Sequence, residues 1–321
     1  MTPPSPGYVG RFAPSPTGPL HAGSLLAALG SWLHARKHGG HWWVRVEDLD
    51  PPREPPGAAE AQLASLARLG LHPDGPVLWQ SRRHAAYAEA LAQLLAEGHA
   101  FRCGCSRADL AATGGIHRRC VAPLPADASA GSVRLRVDDR VIGFHDAVHG
   151  RIVQHLGRTV GDVVLRRADG FWAYQLACVV DDAFQGVTDV VRGADLLDST
   201  PRQIALQQAL GLPTPRYLHL PLRRDAAGRK LSKSEGAAAI DGQPPLELLR
   251  AAWVALGQDP GHWPGGASPE AALAAAVPAF DPARIPPDPA AGAPLPGPGD
   301  AAGSPPRGCD GGHSLDRPDR G

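Results

Sequence analysis

The order of short apolar runs and helical patterns in the first 46 residues constrains the fold more than any other feature of the chain. Residues 8–12 predict a strand, and the Pro- and Gly-rich residues 13–19 predict a loop after it. Leucines and a tryptophan then recur at helical spacing up to Gly39-Gly40, and residues 42–46 predict a second strand. A strand–helix–strand opening is typical of a doubly wound parallel sheet, which binds ligands at the carboxyl ends of its strands.

The alternation of strand and helix patterns continues to about residue 256, with one interruption. Between residues 101 and 158, short β-like runs surround a loop that contains cysteines. We therefore predict an α/β fold in which residues 1–100 and 159–256 form a Rossmann-like domain and residues 101–158 form an inserted subdomain. Residues 257–321 are rich in Pro, Gly, Ala and Asp, so they are predicted to be disordered because they bury too little apolar surface.

Composition excludes some classes of protein. The 32 basic and 32 acidic residues balance, so the net charge does not indicate a polyanionic partner. There is no apolar stretch of roughly 20 residues that would span a membrane, and the first residues do not resemble a signal peptide. We expect a cytoplasmic protein, and a monomer.

Two segments are suited to handling phosphate groups. In the first, the loop at residues 11–20 leads to His21, Gly23 and Ser24 at the start of a predicted helix, whose N–H groups and dipole favour anions. The second is Lys230-Leu231-Ser232-Lys233-Ser234, which holds two of the three lysines of the chain. Flexible cations there suit a reaction in which charge moves onto a leaving pyrophosphate. The alternative interpretation of the first segment is a Pro-rich turn in which His21 caps the helix. The alternative for the second segment is a solvated basic loop.

The two segments together resemble a known pair of signatures. PSPTGPLHAGS at residues 14–24 and KLSKS at residues 230–234 are similar to the signatures of class I aminoacyl-tRNA synthetases, in their glutamyl and glutaminyl form. The first has HAGS where the strict signature is HIGH, and the second has Leu231 where many members have Met. The resemblance implies catalytic roles for His21, Lys230 and Lys233, and it implies that ATP, with Mg²⁺, contacts His21, Gly23, Ser24 and Lys233.

A glutamate pocket requires cations for two carboxylates and an anion for the ammonium group. Arg11, Glu47, Tyr174 and Arg192 all fall near predicted strand ends or helix starts. Each also has an ordinary interpretation, such as a surface ion pair for an arginine or a pairing of Glu47 with Arg45. The segments RFAPS, VEDLDPPRE, YQLACVVDD and VVRGADLLDST resemble the glutamate-site segments of the same family. Matched by motif, the residues implied to bind glutamate are Arg11, Phe12, Ala13, Pro14, Ser15, Glu47, Tyr174 and Arg192.

Three cysteines and a histidine lie in the predicted insertion. Cys103, Cys105, His117 and Cys120 make a donor set suited to tetrahedral zinc, and we predict one structural Zn²⁺ per chain. The alternative is three reduced cysteines in a surface loop. By the resemblance, the insertion falls where the acceptor end of tRNA is held, which makes it an acceptor-binding-like subdomain.

Within residues 8–256 the chain looks most like the glutamyl-Q tRNA(Asp) synthetases. The segments that carry this resemblance are HAGSLLAALGSWLHAR, VEDLDPPREPPGAA and CGC…GGIH…C, in which His117 replaces the usual Tyr. That family lacks an anticodon-binding domain, activates L-glutamate with ATP without needing tRNA, and esterifies it onto queuosine in the anticodon of tRNA(Asp). The alternatives are a truncated glutamyl-tRNA synthetase that charges tRNA(Glu), a non-catalytic, zinc-containing RNA-binding paralogue, and a different nucleotidyltransferase that uses a related loop.

Overall fold

The computed structural model describes residues 7–124, 131–222, 240–264 and 268–289. The strands of this part of the chain are β1 Val9–Phe12, β2 His41–Val46, β3 Leu78–Trp79, β4 Ala100–Cys103, β5 Ser132–Leu135, β6 Val141–Asp146, β7 Gly150–His155, β8 Val163–Arg166, β9 Asp189–Gly193 and β10 Arg216–Leu220. The α-helices are α1 Ala22–Lys37, α2 Ala58–Arg68, α3 His84–Ala96, α4 Leu156–Thr159, α5 Tyr174–Phe184, α6 Thr200–Ala209, α7 Pro245–Ala255 and α8 Pro269–Ala279.

The central strands form the predicted parallel arrangement. Strands β3, β2 and β1 are parallel neighbours, and so are β9, β10 and β6, with β7 antiparallel at the far edge. The two groups meet where the N–H of Thr188, just before β9, donates to the carbonyl of Val9 in β1 at 2.9 Å. The chain turns to opposite sides of β1 in its two halves, so the carboxyl ends of β1 and β9 flank a topological switch point. The Rossmann-like α/β prediction is confirmed.

Helices cover both faces of this sheet. One apolar cluster joins α1, α7 and α8 to β1, β2 and β10, and a second joins α3, α5 and α6 to the other face. A Cβ on Gly30 of α1 would lie 2.8 Å from a methyl group of Leu220, so glycine lets α1 pack closely on β10. None of the helices in the described residues is long and apolar enough to cross a membrane.

A small antiparallel sheet formed by β4, β5 and β8 lies beside the central one. Its extent differs from residues 101–158, the predicted insertion. Strand β6 pairs with β10 of the central sheet at Asp146 and Tyr217, whereas β8, beyond residue 158, completes the small sheet. Alternating strand patterns could not show this, because pairing partners far apart in the chain decide which sheet a strand joins.

The prediction of disorder from residue 257 onward is wrong for the described residues up to 289. Helix α8 packs against α1 and α7, and Leu273, Phe280 and Ile285 are buried in the cluster with α1. Few large side chains suffice there, because the surface that they cover is already formed by other helices. A local signal was present: the Ser268 hydroxyl caps α8 by accepting from the N–H of Ala271 at 3.3 Å, and Pro269 follows it. Residues 290–321 lie outside the described residues.

Candidate active site

A cavity of about 1020 Å³ opens at the carboxyl ends of β1, β2 and β9. Its wall brings together segments that are far apart in the chain: the loop after β1, the start of α1, the end of β2 and the start of α5. The residues predicted from sequence that lie on this wall are Phe12, Ala13, Pro14, Ser15, His21, Gly23, Ser24, Glu47 and Tyr174. Arg11 and Arg192, which are almost fully buried, contact other groups behind it.

His21 caps the helix that begins at the cavity. Its Nδ1 accepts hydrogen bonds from the N–H groups of Gly23 at 3.0 Å and Ser24 at 3.2 Å. A ring nitrogen that accepts hydrogen bonds from two N–H groups carries no proton. The His21 ring is therefore neutral, with its proton on Nε2. The capping interpretation of His21 is therefore correct, and it leaves the residue at the positive end of α1.

Gln62, which sequence reasoning missed, braces the loop after β1. Its side-chain amide donates to the carbonyl of Gly18 at 2.6 Å and to that of Ser15 at 3.2 Å. Gly18 has a φ of +136°, a conformation that favours glycine. The signal that the sequence offered was a glutamine among the Ala and Leu residues of α2, on the face that the helix buries.

A buried ion-pair network lies below the predicted glutamate residues. The Asp182 carboxylate accepts from Arg11 Nε at 3.2 Å and from Arg45 Nη1 at 2.7 Å. Arg45 also donates to Glu47 at 3.2 Å, so the pairing of Glu47 with Arg45 considered from sequence is present. Burial opposes ionisation of Asp182, but the two guanidinium groups lower its pKa to about 2. At Glu47 burial prevails over Arg45 and raises the pKa.

Arg192 and Tyr174 form a pair next to the cavity. Arg192 Nη1 donates to the Tyr174 hydroxyl oxygen at 3.3 Å. Arg192 projects from β9, and Tyr174 is the first residue of α5, so the switch point brings them together. Burial raises the pKa of Tyr174, which keeps its hydroxyl protonated. A guanidinium beside a phenol is a suitable receptor for a carboxylate.

The predicted metal ligands also come together. One Sγ or ring nitrogen from each of Cys103, Cys105, His117 and Cys120 lies within 4.8 Å of the others, with Cys103 Sγ 3.2 Å from His117 Nε2. Burial and the neighbouring sulfurs raise the pKa of Cys120 to about 11, because thiolates crowded together repel one another. A divalent cation would remove that repulsion, so this donor set fits a tetrahedral metal.

Asp162 orients the histidine of this cluster. Its carboxylate lies 2.8 Å from His117 Nδ1, and its other oxygen accepts from the N–H of Val137 at 3.0 Å. A carboxylate on Nδ1 directs the lone pair of Nε2 toward the cysteines, as the outer partner of a metal-binding histidine usually does. Sequence reasoning missed Asp162, because it lies 45 residues beyond His117.

Lys230 and Lys233 fall within residues 223–239, outside the described residues. The flanking positions are described. Leu222 lines the cavity, and on the other side of the gap Ile240 donates from its N–H to the carbonyl of Leu20 at 3.2 Å. One described end of the segment therefore lies on the cavity wall, and the other contacts the loop that precedes α1.

A doubly wound sheet with this cavity at its switch point matches a known family model. Residues 8–121 and 124–247 match the catalytic domain of class I tRNA synthetases for glutamate (E) and glutamine (Q), and the chain belongs to this class. A solved glutamate tRNA ligase from Elizabethkingia meningosepticum, in complex with its amino acid, has a similar fold, with a TM-score of 0.73 and 26% identity. The similarity covers 88% of this chain and 66% of that ligase.

Two curated relatives show to which family within this class the chain belongs. A glutamyl-Q tRNA(Asp) synthetase from Xanthomonas oryzae pv. oryzae is 63% identical over 284 residues, which is 88% of this chain and 94% of the relative. One from Burkholderia cenocepacia is 54% identical over 275 residues, covering 82% of this chain and 92% of the relative. The chain is a member of the glutamyl-Q tRNA(Asp) synthetase family.

Proposed function

We infer that the chain activates L-glutamate with ATP in the absence of tRNA and then transfers the glutamyl group to queuosine in the anticodon of tRNA(Asp). The observation that carries this inference is 63% identity to a glutamyl-Q tRNA(Asp) synthetase along 94% of its length. The cavity supports it, because its wall combines a helix N-terminus with Glu47 and Tyr174, and the guanidinium of Arg192 bonds to Tyr174 behind that wall.

In the first step a glutamate carboxylate oxygen attacks the α-phosphorus of ATP, and pyrophosphate leaves. His21, Gly23 and Ser24 at the start of α1 would contact the phosphates, and Mg²⁺ bound with ATP would offset their negative charge. Lys230 and Lys233 would stabilise the charge that moves onto pyrophosphate. No side chain is required as a nucleophile, because positioning and electrostatics suffice for phosphoryl chemistry.

Glutamate would occupy the part of the cavity next to β1, β2 and α5. Arg192 and Tyr174 would bind one carboxylate, and Arg11 would supply a second cation behind the Phe12–Ser15 wall. Glu47 would accept the ammonium group. Its pKa is raised by burial, and a bound cation beside it would favour the ionised form.

In the second step a cyclopentene-diol hydroxyl of queuosine attacks the adenylate, and AMP leaves. The Cys103, Cys105, His117 and Cys120 cluster would bind a structural zinc ion. All four ligand positions come from the protein, so zinc would order the loop around the small sheet rather than take part in the chemistry.

The test uses two assays on the full chain. Glutamate-dependent exchange of pyrophosphate into ATP, without tRNA, is expected, whereas a non-catalytic RNA-binding protein would show none. Labelled glutamate is then offered with tRNA(Asp) that contains or lacks queuosine. Labelling only of the queuosine-containing tRNA is expected. Equal labelling of both, or labelling of tRNA(Glu) instead, would overturn the proposal in favour of a truncated glutamyl-tRNA synthetase.

A further inference from the structure

Three buried residues, Asp146, His219 and Arg192, form a hydrogen-bonded chain from β6 to Tyr174. The Asp146 carboxylate at the end of β6 lies 2.7 Å from Nδ1 of His219, and Arg192 Nε donates to Nε2 of His219 at 3.1 Å. Asp146 and His219 are fully buried, and Arg192 is 4% exposed. Buried charged groups destabilise a fold unless each of them is hydrogen-bonded. The donors and acceptors of this chain therefore show where its protons lie.

The hydrogen bonds of Asp146 fix the protonation of His219. The other oxygen of Asp146 accepts from the N–H groups of Val148 at 3.0 Å and His149 at 2.9 Å, which only an acceptor oxygen can do. Burial opposes ionisation of Asp146, but the hydrogen bonds with His219 and with these backbone N–H groups lower its pKa. The ionised carboxylate can only accept, so the His219 proton lies on Nδ1. The Nε2 lone pair must then face Arg192, where it accepts the Nε–H.

In this arrangement most N–H groups of Arg192 already donate hydrogen bonds. Within the described residues its Nε donates to His219, its Nη2 to the Leu196 carbonyl at 3.3 Å and the Thr200 hydroxyl at 2.8 Å, and its Nη1 to Tyr174. A guanidinium has five N–H groups, so one Nη1 hydrogen is left over. The Tyr174 oxygen accepts from Nη1, so its own hydrogen can donate. The two remaining donors lie side by side, 3.3 Å apart at their heavy atoms.

We propose that Asp146 and His219 are positioning residues for glutamate recognition, which lock Arg192 so that one Nη1–H and the Tyr174 hydroxyl grip the two oxygens of a single glutamate carboxylate. The inference rests on the proposed function, because glutamate is the ligand that it names. It also gives β6, which lies in the predicted insertion, a role at the amino-acid pocket.

Asp146→Asn tests whether Asp146 positions Arg192, because the side chain keeps almost the same shape and loses its charge. The Asn oxygen can still accept from the two backbone N–H groups, but its amide then donates toward His219 and moves the ring proton to Nε2. That proton would face Arg192 Nε–H, donor against donor, as when the aspartate of a serine-protease triad becomes asparagine. The expected result is a KM for glutamate raised about 10- to 100-fold, with the KM for ATP within about twofold of wild type.

Two histidine variants separate orientation from general stability. His219→Gln places an amide oxygen near the former Nε2 and can still accept from Arg192, so its KM for glutamate is expected within about threefold of wild type. His219→Asn keeps the bond to Asp146 but withdraws the acceptor from Arg192, so it is expected to behave like Asp146→Asn. The matched control is Asp189→Asn, at the opposite end of β9, where the carboxylate pairs with Arg216. Its KM for glutamate is expected to be unchanged.

A spectroscopic readout keeps the inference independent of catalysis. The ¹⁵N shifts of His219 are expected to report the Nδ1–H form in the wild type and the Nε2–H form in Asp146→Asn. Exchange that is absent from the wild type, with these shifts as expected, would overturn the proposed function and leave the tautomer lock standing. An active wild type in which Asp146→Asn leaves the KM for glutamate unchanged, or raises the KM for ATP equally, would overturn the inference alone.

Discussion

The backbone N–H of Leu222 donates a hydrogen bond of 2.8 Å to the carboxylate of Asp288, 66 residues further along the chain. Leu222 lines the cavity and is the last described residue before the segment with Lys230 and Lys233. Asp288 is 3% exposed and follows Ile285, which is buried against the core. The segment around Asp288 thus contacts the cavity wall at Leu222.

Asp288→Ala is expected to lower the free energy of unfolding by about 1–3 kcal/mol, because it removes the charged acceptor of the part-buried Leu222 N–H. Urea unfolding measures the loss. Asp288→Asn is the control, since its side-chain oxygen can still accept this bond, and it should lose clearly less. Equal losses in the two variants would show that the bond to Leu222 is not what Asp288 contributes.

The metal cluster predicts about one zinc ion per purified chain, lost in Cys105→Ser. Because the ligands lie around the end of β4, loss of zinc should also lower the melting temperature. Elemental analysis and thermal unfolding measure the two effects. Cys178→Ser is the control, because Cys178 is buried in α5 away from the cluster and should leave the zinc content unchanged. A fully active chain without zinc would contradict a structural metal.

Asp162→Asn provides a finer test of the same site. The amide would present a donor to His117 Nδ1 or lose the charge that orients the ring, so zinc affinity is expected to fall about 10- to 100-fold. Competition with a chelator measures this affinity. An unchanged affinity would mean that Asp162 only holds Val137.

Lys233→Ala is expected to reduce glutamate-dependent pyrophosphate exchange by at least about 100-fold, the usual effect of removing one group that stabilises transition-state charge. Its melting temperature should stay near that of wild type. Lys37→Ala is the matched control, because this exposed lysine at the end of α1 does not line the cavity and donates to the Pro278 carbonyl at 2.8 Å. Exchange that Lys233→Ala leaves intact would remove Lys233 from the mechanism.

Patterns within the sequence predicted the central fold, because α1, β1 and β2 carry their periodicity and turn residues locally. The wall of the site was also predictable, since strand ends in a doubly wound sheet converge. The supporting groups were not. Arg45 finds Asp182 137 residues away, and His219 finds Asp146 73 residues away, so no local pattern signals either pair. Helix α8 escaped prediction because its alanines need a neighbouring surface to bury them.

The buried network gives a prediction for Arg45. Arg45→Met would leave Asp182 and Glu47 with fewer countercharges in a buried place, so a loss of about 3–5 kcal/mol in the free energy of unfolding is expected. Arg53→Ala, which breaks an exposed pair with Asp50, should cost less than about 1 kcal/mol. Comparable losses in the two variants would argue against a special role for the buried network.

The two lowered histidine pKa values predict how stability depends on pH. Burial and the nearby His38 together lower the pKa of His34 to about 4. Burial also lowers the pKa of His219 to about 4, although its hydrogen bond with Asp146 acts to raise it. In the unfolded chain both would take up protons near their ordinary pKa of 6.5. The unfolded state therefore binds more protons between about pH 6.5 and 4, so the free energy of unfolding falls as pH falls through this range.

Urea unfolding at about pH 7 and about pH 5 measures this loss, with an upper limit near 1.4 kcal/mol per pH unit for each histidine. The carboxylate of Asp182, with a pKa of about 2, should contribute only below about pH 4, so the two effects separate. His34→Gln and His219→Gln should each reduce the pH dependence, since glutamine does not titrate. A pH dependence that neither glutamine variant reduces would show that neither histidine is held neutral by the fold.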